Sequence, residues 1–166
     1  MPLNLEIKIH MDSNDSPLKV LNNLHAEFVR DINQTDIYYS MPDSLLKLRV
    51  EDEGECLIKY NRDEENPDRF SDYEVIYLKS SGTEKFFNSI FTPEAVVRKK
   101  RSLYLYNNTR IHLDTVQGLG TFMEFETLVV NGMEDAKERF NFLIREFEID
   151  ITKQIRCSYR DLILNK

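Results

Sequence analysis

Tryptophan is absent from this 166-residue chain, and cysteine, glycine and proline are scarce, at two, five and five residues. The two thiols, Cys56 and Cys157, form no CxxC pair. A disulfide is therefore not expected, and free thiols in a reducing compartment, the cytoplasm by default, are. Neither cysteine has a His or an acid beside it in a nucleophile motif. Low-complexity segments and repeats are missing, and most Gly and Pro residues punctuate patterned segments. No apolar run approaches the length of a membrane span, and the start, MPLNLEIK, has neither a basic n-region nor an apolar h-region. Neither a membrane nor a secretory signal is expected. Positive charge is also in deficit: 22 Lys and Arg stand against 29 Asp and Glu, for a net charge of −7 and a pI near 5.1. That balance argues against nucleic acid or an anionic membrane as partner, because phosphate surfaces reward clustered cations. A local basic cavity is still permitted.

What is present is patterned. Apolar content of 41% and charged content of 31% suit one soluble domain over 1–166. Residues 3–9 alternate, with Leu3, Leu5, Ile7 and Ile9 on one side and Asn4, Glu6 and Lys8 on the other. Ser16-Pro17 opens a helical pattern expected to run to Ile32, with Leu18, Leu21 and Phe28 on one face. Strands are expected at 34–39, stopped by Pro42, and at 45–50 and 56–61, the last two joined by a turn at Gly54. The polar stretch 62–70, with Pro67, reads as a loop. Further strands are expected at 71–78, 95–101 continuing through 103–106, 109–116 and 121–130. Asn107-Asn108 and Gly118 with Gly120 mark tight turns. Helices are expected at 82–91, 133–147 and 158–164; Phe140, Leu143, Ile144 and Phe147 make the second amphipathic. About eight strands with flanking helices imply an α+β fold with antiparallel pairing. Eight strands is also a common number for a closed barrel.

The polar face of each strand carries the chemistry. It offers Glu6 and Lys8 on the first strand, then Lys47 and Arg49, Lys59, and Glu74. Lys99 and Arg101 follow, then Arg110, His112 and Asp114, and finally Glu124 and Glu126. Period two places each set on one side of its strand. On an open sheet these faces are simply solvated. On a closed one, so much buried charge requires a compensating ligand. A triphosphate suits the cations, because Arg forks onto phosphate oxygens and Lys supplies a point charge. A Glu pair suits a hard cation such as Mg²⁺ or Mn²⁺.

Short motifs in order bear on that choice. Glu6-Ile7-Lys8 resembles the second half of the ExExK signature. Then come Thr35-Asp36-Ile37-Tyr38-Tyr39, Leu46-Lys47-Leu48-Arg49, Leu57-Ile58-Lys59-Tyr60 and the V-x-K-x-R of residues 97–101. Arg110-Ile111-His112-Leu113-Asp114, the run from Leu119 to Glu126, and the tail Ser158-Tyr159-Arg160-Asp161-Leu162 complete the set. Together they resemble the CYTH (triphosphate tunnel) superfamily, in its class IV adenylyl cyclase branch. The resemblance implies a closed eight-stranded antiparallel barrel that takes a triphosphate with one or two divalent metals. It implies metal carboxylates at Glu6, Glu124 and Glu126. It implies phosphate contacts at Lys8, Lys47, Arg49, Lys59, Lys99, Arg101 and Arg110. Glu74 and Asp114 could hold metal or orient a neighbouring cation. The substrate could be ATP, cyclised to cyclic AMP and pyrophosphate. It could instead be tripolyphosphate, thiamine triphosphate or a nucleotide, hydrolysed. A non-catalytic phosphate-binding module is the third reading. A homodimer is compatible with the family. The chain departs from the motif at Asn4, where ExExK has its first Glu, and it lacks the His-Phe pair that precedes the motif in class IV cyclases. No residue is marked as a general base.

Other residues have plainer expectations. His112 faces with Arg110 and Asp114, either hydrogen-bonded within a lumen or structural. His10 and His25 lack partners at ligand spacing and are expected at the surface. Tyr38 and Tyr39 are expected to pack. Glu51-Asp52-Glu53 is expected at a solvated hairpin tip, and Arg98 and Lys100 point away from Lys99 and Arg101.

Overall fold

The computed structural model describes residues 4–41, 44–60, 73–79 and 82–165. The expectations for Leu3, Pro42, the 62–70 loop and residues 71–72 lie outside that range. Among the described residues the order is β1 (Asn4–Met11), α1 (Asp15–Asn23), β2 (Glu27–Ser40), β3 (Leu45–Glu51), β4 (Gly54–Tyr60) and β5 (Tyr73–Leu78). Then follow α2 (Thr83–Asn88), β6 (Pro93–Tyr106), β7 (Thr109–Val116), β8 (Gly120–Leu128), α3 (Met133–Glu146), a 3₁₀ turn (Ile151–Lys153) and α4 (Tyr159–Leu164). None of the helices is long and apolar enough to cross a membrane.

The eight strands form one sheet in the order β1-β8-β7-β6-β2-β3-β4-β5. The expected α+β class with hairpin pairing is what is seen. Closure into a barrel is not carried by backbone hydrogen bonds: β1 and β5 end the pairing order among the described residues. Alternation assigns a residue to a face, and it is silent about which edge strands meet.

Packing divides the chain into two compact units. The first comprises 1–32 and 100–157, the second 33–99 and 158–166. In the first, β1, β7 and β8 turn Ile7, Ile9, Ile111, Leu113, Met123 and Phe125 to one face, packed with Leu21 of α1 and Leu143 of α3. That leaves the other parity of the same strands to the polar residues. In the second, Ile37, Tyr39 and Leu48 form the buried cluster, joined by Leu46, Leu57 and Phe87. Tyr39 donates to Asn88 Oδ1 at 2.9 Å and lies against the Phe87 ring, so it packs as expected.

The helical pattern expected to reach Ile32 ends instead at Asn23. His25 has φ of 52°, its N–H donates to the Asn22 carbonyl at 3.1 Å, and the Ala26 N–H donates to the Leu21 carbonyl at 3.0 Å. These two bonds are a Schellman stop, whose left-handed position is usually Gly. With His there, the sequence carries no stop signal, and Glu27 onward is extended. Likewise 95–101 and 103–106 are one 14-residue strand. Replacing His25 with Gly should relieve the Cβ cost of the left-handed backbone and raise stability by about 0.5–1 kcal/mol. His25→Val should lower it. Urea unfolding midpoints in the opposite order would show that this turn does not set the helix end.

Candidate functional site

Strand register assembles the charged groups row by row. In the first unit, Glu6 faces Glu126 and Lys8 faces Glu124 across β1 and β8. Arg110 faces Glu126 and His112 faces Glu124 across β7 and β8. Directly opposed side chains share a face. These groups are mostly withdrawn from solvent: Lys8, Arg101, His112 and Asp114 are all less than a tenth exposed.

Arg101 is the hub of this unit. Its Nε and Nη2 donate to Asp114 Oδ1 and Oδ2, both at 2.7 Å, and Nη2 also donates to Glu124 Oε2 at 2.8 Å. Asp114 thus orients Arg101, one of the two roles open to it. Lys8 Nζ donates to the Cys157 carbonyl at 3.2 Å. Arg110 is more exposed and lies 3.4 Å from Glu126 Oε2. His112 Nδ1 sits 3.8 Å from Glu124 Oε2 and 3.8 Å from Glu126 Oε1, too far to hydrogen-bond either. It is a buried polar atom with no hydrogen-bond partner. Burial lowers the pKa of His112, and the Arg101 charge lowers it further, while the two glutamates oppose both.

His112, Glu124 and Glu126 bring ligand atoms within 4.8 Å of one another. Two carboxylates converging at that spacing fit a hard divalent cation such as Mg²⁺ or Mn²⁺. Glu6 is exposed and stands outside that group. Asn4 shares the face of Glu6, and its Oδ1 is buried without a hydrogen-bond partner.

The second unit is organised by a residue that sequence reasoning passed over. Asp36 is 3% exposed and faces Arg49 across β2 and β3. Both of its oxygens accept from Arg49, Oδ1 from Nε and Oδ2 from Nη2, each at 2.8 Å; Lys47 Nζ lies 3.1 Å from Oδ2. Burial alone would raise its pKa. Lys47, Arg49 and Lys99 overcome that and hold the carboxyl far below the ordinary range. Lys47 also lies over the Tyr38 ring at 5.4 Å, and Lys99 over the Tyr159 ring at 4.9 Å. Arg160 donates from Nε to Glu94 at 3.0 Å and from Nη1 to Asp161 at 2.7 Å, which anchors α4. The available signal for Asp36 was its place two residues from Tyr38 and Gln34 on a strand paired with Lys47 and Arg49.

Lys59 and Glu74 do not join this face. Lys59 pairs with Leu46 and Glu74, whereas Lys47 pairs with Ile58. By parity, Lys59 and Glu74 lie on the opposite side of the sheet, and both are exposed. His10, His25, Arg98 and Lys100 are exposed as expected, and Lys100 pairs with Asp31 at 2.8 Å.

The family model described as the CYTH domain matches residues 3–159. A protein of Methanocaldococcus jannaschii named "Putative adenylate cyclase" is 27% identical over 174 residues, covering 96% of this chain and 98% of its own. A solved Pyrococcus horikoshii protein gives a TM-score of 0.81 at 19% identity, covering 96% of this chain and 99% of its own. A Hippeastrum protein gives 0.69 at 15% identity, with 98% and 96% covered. It is named as a "putative adenylyl cyclase" with a dominant triphosphatase activity. These two structures share the fold with this chain.

The ionised state of Asp36 has a pH signature. At pH 4 and below, the folded protein binds fewer protons here than the unfolded chain, so stability falls as pH falls; above about pH 5 the contribution is complete. Asp36→Asn should cost on the order of 3–5 kcal/mol at pH 7, by leaving Lys47, Arg49 and Lys99 without their shared carboxylate. The gap between wild type and variant in urea should narrow at pH 3. Parallel stability curves would contradict the ionised assignment.

Proposed function

This chain belongs to the CYTH domain family, and from that premise we propose that it is a divalent-metal-dependent enzyme acting on a triphosphate in the manner of a class IV adenylyl cyclase. The observation that carries the reading is the buried cation set: Lys8 at 9%, Lys47 at 3%, Lys99 at 8% and Arg101 at 9% exposure. Cations are seldom buried without anions to compensate them. In the protein alone, Asp36, Asp114 and Glu124 contribute that compensation. Phosphate oxygens offer the same acceptors, in the geometry that guanidinium forks prefer.

In this reading the strands form the triphosphate tunnel of the family. Each unit offers its own cations to phosphate, Lys8, Arg101 and Arg110 in the first and Lys47, Arg49 and Lys99 in the second, and Lys59 is left out by its strand parity. Glu124 and Glu126 hold Mg²⁺ or Mn²⁺, with Glu6 beside them in the register. A divalent cation held there would supply neutralisation of charge on the phosphate oxygens. Asp114 fixes the Arg101 guanidinium before substrate arrives, which is electrostatic preorganisation. In cyclisation the ribose 3′-oxygen of ATP attacks the α-phosphorus, that P–O bond forms, and pyrophosphate leaves as the bond to the β-phosphate oxygen breaks. The 3′-hydroxyl proton is released to solvent as the new bond forms. The Methanocaldococcus jannaschii relative, named "Putative adenylate cyclase", supports cyclisation.

The second reading is hydrolysis, in which water attacks the terminal phosphorus, the bond from that phosphorus to the bridging oxygen breaks, the diphosphate portion leaves with that oxygen, and the attacked phosphorus is released as orthophosphate. Asn4, a neutral amide in place of a motif carboxylate, bears on metal affinity in either reaction and motivates the third reading, a phosphate-binding module. The Hippeastrum protein adds that a shared fold does not by itself choose cyclisation.

The deciding assay incubates purified protein with Mg²⁺ or Mn²⁺ and, separately, ATP, tripolyphosphate and thiamine triphosphate. Cyclic AMP with pyrophosphate supports the cyclase, and orthophosphate supports the hydrolase. Binding without turnover on all three would leave a phosphate-binding module and overturn the enzyme. Arg110→Ala should raise KM for the triphosphate about 10–100-fold, the equivalent of one charge-assisted hydrogen bond. Its thermal midpoint should barely move, since the side chain is 44% exposed. An unchanged KM would remove Arg110 from the phosphate set. Arg101→Ala, by contrast, should damage folding itself, because Asp114 and Glu124 lose their shared cation.

A further inference from the structure

We propose that His112 is itself a metal ligand, so that the cation site is a nitrogen–oxygen site made by His112 Nδ1 with Glu124 and Glu126, and that it selects Mn²⁺ over Mg²⁺. This rests on the metal-dependent reading above and deepens it.

The geometry makes the case. His112 is 4% exposed, and its Nδ1 is a buried polar atom without a hydrogen-bond partner. Most buried polar atoms in proteins are satisfied, so an orphan calls for a partner the protein alone does not supply. The orphan points at two carboxylates, 3.8 Å from each. A ring N–H donating to either would draw in to about 2.8 Å. A first-row divalent ion with bonds of about 2.1 Å places adjacent ligand atoms about 3 Å apart and opposite ones about 4.2 Å apart. Ligand atoms lying within 4.8 Å need only a small contraction to meet those spacings. The strands give the three residues one face: His112 faces Glu124 across β7 and β8, and Glu126 follows two residues along. The surroundings also steady the donors. Arg101 holds Glu124 Oε2, the same oxygen that lies toward His112, at 2.8 Å, and Arg110 approaches Glu126 Oε2, leaving Oε1 of Glu126 toward His112.

Ligand type then sets the metal. Mg²⁺ is a hard ion that takes oxygen and water, whereas imidazole suits first-row transition ions, whose affinities rise from Mn²⁺ toward Cu²⁺. An imidazole beside two carboxylates therefore discriminates against Mg²⁺ more than the carboxylates alone would. Mn²⁺ is the member of that series that also matches the carboxylate-rich donor set.

The test uses the whole purified protein, stripped of metal and titrated with Mn²⁺ alone and with Mg²⁺ alone, with no substrate present. Pulsed electron spin resonance of the Mn²⁺ complex should show coupling to a directly bound ¹⁴N nucleus. His112→Gln keeps a polar side chain at the position. It should abolish that coupling and weaken Mn²⁺ binding at least about tenfold, while changing Mg²⁺ binding less than about threefold. Circular dichroism and thermal melting show whether the variant is folded; the nitrogen signal of the wild type tests the ligand role without any variant. Mn²⁺ bound without nitrogen coupling, or coupling that survives in His112→Gln, overturns the ligand role and leaves the triphosphate reading standing. Equal loss of Mn²⁺ and Mg²⁺ affinity in His112→Gln overturns the selectivity. Wild type that binds neither ion would overturn this inference together with the metal-dependent reading; Glu126→Gln, expected to weaken both ions, separates the carboxylate role from that of the imidazole.

Discussion

Everything in this molecule turns on keeping cations out of water, and that is tolerable only because carboxylates meet them there. An unpaired buried charge costs several kcal/mol even after relaxation. Asp36 answers Lys47 and Arg49. Asp114 and Glu124 answer Arg101 from two neighbouring strands. Each carboxylate is placed by register rather than by a loop, so the spacing of the charges follows from the ladder itself. A hydrogen-bonded ladder is far stiffer than a pair of long side chains, and the cations are preorganised to that extent.

The ladder also forces a division of faces. On β1, β7 and β8 one parity supplies Ile7, Ile9, Ile111, Leu113, Met123 and Phe125 to the core against α1 and α3. The other parity is thereby released from packing and can carry Lys8, Glu124, Glu126, His112 and Asp114. A one-residue slip in any of these strands would put ions into the core and isoleucines on the charged face. The hydrophobic pattern therefore protects the site: the register that completes the core is the one that lines up the rows of charge.

Much of this is readable in the residues. Strict alternation makes β1, β7 and β8 plain, and two-residue spacing groups Lys99 with Arg101 and Glu124 with Glu126. The failures have separate physical causes. The end of α1 is hidden because His25, not Gly, takes the left-handed position. Lys59 groups with Lys47 in the sequence because each lies on its own strand's polar side, and only the pairing register shows that those two sides are opposite faces. Asp36 is not marked as a site residue because a lone acid between Thr35 and Ile37 reads as ordinary until Arg49 and Lys47 are seen upon it. The edges of the sheet are not readable at all, since alternation carries no information about which strands end it.

The two units differ in charge character in a way that suits two tasks. In the second, three cations share the charge of Asp36, whose carboxyl stays ionised against full burial because of them. That cluster of positive donors is a complement for an anion. In the first, Asp114, Glu124 and Glu126 stand with Arg101 and Arg110, and the orphaned nitrogen of His112 turns toward the two glutamates. That set is a complement for a cation. Glu124 already serves Arg101 as a counter-ion, and Glu126 two residues along the strand, with the His112 nitrogen, gives that set the acidic character a divalent cation requires.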